Sequence, residues 1–208
     1  MTRGRFISLE GGEGAGKSTQ LRALADALRG RGIEVVATRE PGGSAGAEAI
    51  RALLLTGHAD RWSPRAEALL FAAARADHVE KTIRPALERG AWVLSDRFLD
   101  SSRAYQGMGD LSDADILELH RIGSGDFLPD RTFFLTLSKA EAQQRAWSRD
   151  GEATDRIGGR DAAFHARVAS AFAKFAAQEP GRIRTIDAAG HPEAVTSRLM
   201  AALSDLIP

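Results

Sequence analysis

The stretch Gly11-Gly12-Glu13-Gly14-Ala15-Gly16-Lys17-Ser18 constrains this chain more than any other. It reads G-x-x-x-x-G-K-S. Glycines allow a backbone curl in which several N–H groups converge on one anion. A helix opening at about Lys17 adds the positive end of its dipole. In such a loop the lysine reaches the β- and γ-phosphates of a nucleotide and the hydroxyl of Ser18 ligates Mg²⁺. The flanks suit this reading, because Phe6-Ile7-Ser8-Leu9 has the character of a buried strand and Thr19–Leu28 that of a helix. The alternative is a glycine turn that matches by accident. With 21 glycines but only four lysines in 208 residues, that coincidence is rare.

Five short segments with β-branched or aromatic centres read as strands: Arg5–Glu10, Glu34–Arg39, Ala91–Asp96, Arg131–Leu137 and Ile183–Ala188. Helical patterns separate them at Lys17–Arg29, Ala45–Leu55, Pro64–Arg89, Asp113–Ile122, Lys139–Ser148, Asp161–Gln178 and Pro192–Leu206. Ser138 with Glu141 reads as a capping box, and Pro192 suits a first helical position. This alternation predicts an α/β fold with a mainly parallel sheet. In such sheets ligands bind beyond the carboxyl ends of the strands. Neither a repeat nor a linker divides the chain, so residues 1–208 read as one domain. The polar gap Gly151–Gly159 is expected to be its most mobile part.

Several candidate residues follow from those strand ends. Arg39 precedes a Pro41-Gly42-Gly43 turn and reads either as an exposed arginine of an ordinary turn or, beside a P-loop, as a residue that meets an anion in the cleft. Phe71 and Arg75 share a helix face; they read either as a platform for a nucleobase or as core packing, and His78 reads as structural. Asp96 ends the third strand, a position suited to a carboxylate near Mg²⁺ or its waters. Arg97 either points into the same cleft or pairs with Asp96. The segment from Asp100 to Gly107 offers hydroxyls and an amide nearby. Arg145, Arg149, Arg156 and Arg160 surround the polar gap, and read either as a phosphate-clamping lid or as a solvated face.

Composition narrows the classes. The formal net charge is zero, which gives no general nucleic-acid or anionic-membrane surface. There is no cysteine, hence neither disulfide nor thiolate metal site. With neither a secretory h-region nor a membrane-spanning apolar run, a cytoplasmic protein is expected. A guanine-reading N-K-x-D motif is excluded, because the chain contains no asparagine.

Taken together, the blocks resemble thymidylate kinase of the bacterial type. The resemblance runs from Phe6 to about Val195 and rests on the P-loop, T-R-E-P-G-G, L-L-F-A-A-A-R, D-R-F with S-S-R-A-Y-Q-G, and a late D-R pair. It implies a P-loop kinase fold with a five-stranded parallel sheet flanked by helices, a mobile lid at about 145–160, and usually a homodimer. It implies transfer of the γ-phosphoryl of ATP to thymidine monophosphate (dTMP), with Mg²⁺. By position, Gly11 through Ser18 with Thr19 would hold ATP, and Arg145 would pack on adenine. Phe71 would stack the thymine and Arg75 would bond its exocyclic oxygen. Arg39 and Arg97 would hold the acceptor phosphate, and Glu13 would meet the 3′-hydroxyl. Tyr105 would stand where a 2′-hydroxyl would clash, while Ser102 and Gln106 would line the base pocket. Ser18 and Asp96 would serve the metal.

One branch of the family carries an arginine directly after the acidic P-loop residue; here that position is Gly14. The resemblance therefore assigns transition-state charge to Arg149 and Arg156 beside Lys17 and Arg97. The family often reads D-R-x-E in the lid, whereas Asp155-Arg156-Ile157-Gly158 places a glycine there. The competing readings are a kinase for another monophosphate or deoxynucleoside and, more remotely, a P-loop regulatory NTPase.

Overall fold

The computed structural model describes residues 3–58, 60–138, 141 and 156–207. Five parallel strands form one sheet in the order β2-β3-β1-β4-β5. They are β1 (Phe6–Glu10), β2 (Val35–Arg39), β3 (Trp92–Asp96), β4 (Arg131–Thr136) and β5 (Ile183–Asp187). Their register sets Leu9 and Arg39 both opposite Asp96, and Glu10 opposite Phe134. The carboxyl ends of β1, β2 and β3 therefore open on one region, and β1 sits where the strand order turns.

Helices cover both faces. They are α1 (Lys17–Arg29), α2 (Ala45–Leu55), α3 (Pro64–His78), α4 (Arg84–Glu88), α5 (Leu99–Gln106), α6 (Asp113–Ser124), α7 (Ala162–Gln178) and α8 (Pro192–Ala201). Side chains alternate across a strand. In β1, Ile7 and Leu9 pack with Leu24 and Leu28 of α1 and with Leu199 of α8. Phe6 lies on the other face, against Ile83, Phe98, Ile116 and Phe127. A third cluster joins Tyr105, Phe134, Ile157, Phe172 and Phe175.

The long helix expected from Pro64 to Arg89 is interrupted. A π-helical turn at Val79–Ile83 separates α3 from α4. It stands just before Pro85, which has no N–H to return to the preceding turn. The last helix ends at Ala201 rather than Leu206, and turns follow around the fully buried Leu203. Helix α5 was not expected at all. The predicted helix at 139–148, with Arg145 and Arg149 and apart from Glu141, and most of the 151–159 gap lie outside the described residues. At Ser138 the hydroxyl accepts from the Glu141 N–H, while the Glu141 carboxylate bonds that hydroxyl rather than the Ser138 backbone.

Two clusters lock this framework. Asp100, fully buried on α5, accepts Nη1 of Arg182 at 2.7 Å, Nη2 of Arg182 at 2.9 Å and Nη1 of Arg103 at 3.0 Å. His120 of α6 is 2% exposed and bonds the Phe127 carbonyl through Nε2 at 2.9 Å, so that nitrogen carries the proton. Burial, reinforced by the charge of Arg75, lowers the His120 pKa to about 4 from the ordinary 6.5. The folded chain then binds fewer protons than the unfolded chain between those values, so stability falls as pH falls through that window. In urea unfolding, this one site should cost the wild type about 2 kcal/mol between pH 7 and pH 5, and a His120→Gln variant should lack that component.

Candidate active site

Residue geometry explains the loop after β1. Gly11 has φ of 141°, and a Cβ there would meet the Leu135 carbonyl at 2.6 Å, so only glycine lets the loop pass β4. Gly16 sits at φ of 82° as the N-cap of α1 and offers no side-chain cap. The first N–H groups of α1 are thus left for an anion. Lys17 is 8% exposed, and its Nζ donates to the Gly12 carbonyl at 2.8 Å and the Gly11 carbonyl at 3.1 Å. Burial, with Arg97 nearby, lowers its pKa to about 8. The Ser18 hydroxyl donates to Asp96 Oδ2 at 2.6 Å across the mouth of the loop.

From this mouth a cleft of about 240 Å³ extends between α2, α3 and α5. The expected residues Glu13, Ser18, Arg39, Phe71, Arg75 and Asp96 line it, as do Arg97, Ser102, Tyr105 and Gln106. Residues separated by almost a hundred positions are brought together. Arg97 adopts φ of 70°, a left-handed conformation uncommon for a side chain of this size. Its guanidinium lies over the Tyr105 ring at 5.1 Å and donates to Ser101 Oγ at 3.1 Å and to the Gly11 carbonyl at 3.3 Å. The Tyr105 hydroxyl is buried and has no hydrogen-bond partner among the described residues. Arg39 is the looser member; its side chain is 56% exposed and reaches Glu48 at 3.2 Å.

Arg75 is 3% exposed and far from free. Its Nε donates to Glu40 Oε2 at 2.9 Å and its Nη2 to Ser102 Oγ at 2.6 Å. The other Glu40 oxygen meets His78 Nδ1 at 3.0 Å, and His78 Nε2 contacts Thr38 Oγ1 at 2.8 Å. His78 thus has the structural role expected of it. Nη1 of Arg75 makes no hydrogen bond among the described residues, which leaves that NH₂ group, with its two N–H donors, on the cleft-lining guanidinium.

The carboxylates behind these groups carry no role that the sequence pattern assigns. Glu10 is fully buried and accepts the Phe98 N–H at 2.8 Å and the Ser101 hydroxyl at 2.5 Å, which fixes the turn carrying Arg97. Burial, with Asp100 beside it, pushes the Glu10 carboxyl up to about 8. Glu40 stood inside the quoted T-R-E-P-G-G block without a role. Arg51, another unexpected lining residue, donates to the Pro41 carbonyl at 2.6 Å.

Arg156, expected beside the transferring phosphate, has a side chain only 1% exposed, and its partners include Glu67 at 2.5 Å and the Leu54 carbonyl at 2.8 Å. Gly158 also acquires a reason. A Cβ there would fall 2.6 and 2.7 Å from the Glu13 carboxylate oxygens, so a glutamate at this position would crowd a second carboxylate against the first.

A metal fits only as a shared ligand. Among the described residues no group of three or more acidic, histidine or cysteine side chains converges. Ser18 and Asp96 supply adjacent oxygens, which suits Mg²⁺, an ion that keeps waters and phosphates as its remaining ligands.

Comparison with known proteins agrees with this geometry. A family model described as thymidylate kinase matches residues 9–199. A thymidylate kinase of Rhizorhabdus wittichii is 64% identical over 99% of this chain and 99% of its own length. One of Caulobacter vibrioides is 52% identical over 100% of this chain and 97% of its own length. A solved thymidylate kinase structure from Ehrlichia chaffeensis superposes with a TM-score of 0.79 at 30% identity, covering 97% of this chain and 100% of that one.

The two glutamates near Arg39 and Arg75 carry different weights. Glu40→Ala strands Arg75 and His78 in the interior and should cost about 3–5 kcal/mol in urea unfolding. Arg39→Ala breaks only the exposed pair with Glu48 and should cost less than about 1 kcal/mol in the same measurement.

Proposed function

The chain belongs to the thymidylate kinase family and phosphorylates dTMP to the diphosphate for dTTP synthesis, and we propose that it does so in the cleft running from the P-loop to α3 and α5. One observation carries the placement: a phosphate loop and a Phe71–Arg75 pair line a single cavity. Residues 1–208 act as one kinase unit with ATP as donor.

The P-loop from Gly11 to Ser18, with Thr19, holds the ATP phosphates through N–H groups that the α1 N-cap leaves unsatisfied. Lys17 leaves the loop carbonyls for the β- and γ-oxygens and offsets their charge. The acceptor base stacks on Phe71, and Nη1 of Arg75, unengaged among the described residues, donates to its exocyclic oxygen. A cytosine would present an amine to that donor. Glu13 meets the 3′-hydroxyl, while Ser102 and Gln106 close the base pocket. Tyr105 stands against the sugar. Arg39 and Arg97 take the acceptor phosphate, and the fixed turn at Arg97 aligns it for in-line attack. Ser18 and Asp96 would hold Mg²⁺, which when bound neutralises charge on the transferring phosphoryl group. Transfer of this kind depends on alignment and charge more than on covalent chemistry, so no protein base is needed. Arg149 is the proposed further transition-state arginine, with Arg145 on the adenine. Arg156 is reassigned to the acceptor wall because Glu67 holds it.

Leu69 of α3 and Ile122 of α6 expose 57% and 69% of their surface on packed helices, an apolar surface that supports a homodimer. No helix among the described residues is long and apolar enough to cross a membrane.

Coupled measurement of ADP formation tests the reading. Turnover with Mg-ATP should depend on dTMP, and Lys17→Ala should abolish it while the fold persists. Phe71→Ala should raise the KM for dTMP by roughly tenfold to a hundredfold, the worth of a lost base stack, with little change for ATP. Equal losses for both substrates would make Phe71 a core residue and contradict the placement.

A further inference from the structure

We propose that Glu67 is the positioning residue of the acceptor cleft, a buried carboxylate that orients the Gln106 amide and pins residues 156–160 as one wall of the pocket. The inference rests on the acceptor-site reading above. Glu67 lies in the first turn of α3, four residues before Phe71, and is 3% exposed. A first-turn acid that merely complements the helix dipole needs no such burial.

Three side chains from two distant segments converge on it. Gln106 Nε2 donates to Oε1 at 3.1 Å, Arg156 Nη2 to Oε2 at 2.5 Å, and Arg160 Nη2 to the two oxygens at 3.1 and 3.0 Å. Arg156 also donates to the Leu54 carbonyl at the end of α2 at 2.8 Å. Ile157, between the two arginines, is 8% exposed, lines the cleft and packs in the cluster of Tyr105 and Phe71. Glu67 thus sets where this wall stands.

The amide is set as well. A carboxylate only accepts, so it must take the NH₂ end of Gln106. Oε1 is then the free acceptor of that amide, and it makes no hydrogen bond among the described residues. The cleft therefore presents an acceptor from Gln106 and a donor from Arg75. That pair complements a pyrimidine with a protonated ring nitrogen beside a carbonyl, and mismatches cytosine, which has an unprotonated ring nitrogen beside an amine. Through Gln106, Glu67 would sharpen base choice without touching the base.

The test compares Glu67→Gln, Arg160→Gln and the double variant in the full chain, with dTMP and dCMP as acceptors and Mg-ATP as donor. Glu67→Gln should raise the KM for dTMP by about tenfold and narrow the preference for dTMP over dCMP, while the KM for ATP stays near wild type. The double variant should be no worse than Glu67→Gln alone, because both act through one contact. Losses that multiply fully in the double variant would overturn the proposal, as would unchanged acceptor KM and base preference in Glu67→Gln. If Glu67→Gln does not fold, Arg160→Gln carries the test, since that side chain is 28% exposed. dTMP should then protect amides of residues 156–165 from hydrogen exchange in the wild type and less in Arg160→Gln; equal protection overturns the proposal. Phe71→Ala separates the two levels. If it raises the acceptor KM while the Glu67 variants do not, only this inference fails; if neither does, the acceptor-site reading fails and takes this one with it.

Discussion

The buried pair between Glu40 and Arg75 is the interaction on which the candidate site depends. One carboxylate, 6% exposed, joins the loop after β2 to two residues of α3. Taking such charges from water is costly, and their attraction offsets the cost only when geometry and additional hydrogen bonds are good. Here His78, Thr38 and Ser102 complete the set. The result is a guanidinium held along one edge, with its Nη1 group unengaged among the described residues.

Glu10 and Glu67 repeat the device at two other walls. Glu10 fixes the turn that carries Arg97, and Glu67 fixes Gln106 and the 156–160 segment. Each binds backbone or arginine donors from elsewhere in the chain, and in each case the group facing the cleft is the partner and not the carboxylate. Rigidity of this kind matters for phosphoryl transfer, where small misplacements of a charged group are costly. The Asp100–Arg182–Arg103 cluster extends the same logic behind α5, the helix that supplies Ser102, Tyr105 and Gln106.

Much of this was legible in the sequence where the signal is local. The bounds of α1 and α2 matched their patterns because each has an apolar stripe and a recognisable start, Gly16-Lys17 for one and Ser44 for the other. The P-loop and the strand-end residues also follow from short-range pattern. Helix α5 did not, because all eight of its residues are buried and it shows no polar and apolar face to read. The organising glutamates were hidden for another reason. Glu10 lies 88 positions from Phe98, Glu40 lies 35 from Arg75 and Glu67 lies 89 from Arg156, so only the fold reveals the partners. Arg156 shows the same limit, since its sequence neighbours suggest a lid while one of its partners, Glu67, is on α3. For Phe71, helical spacing alone left two readings, and the base platform is what the family resemblance implies.

A crystal structure with dTMP bound tests the central claim most directly. The base should stack on Phe71, with Arg75 still held by Glu40 and its Nη1 bonded to the exocyclic oxygen of the base. A base bound elsewhere, or an Arg75 that abandons Glu40 to reach it, would show that the Glu40–Arg75 pair does not set the acceptor site.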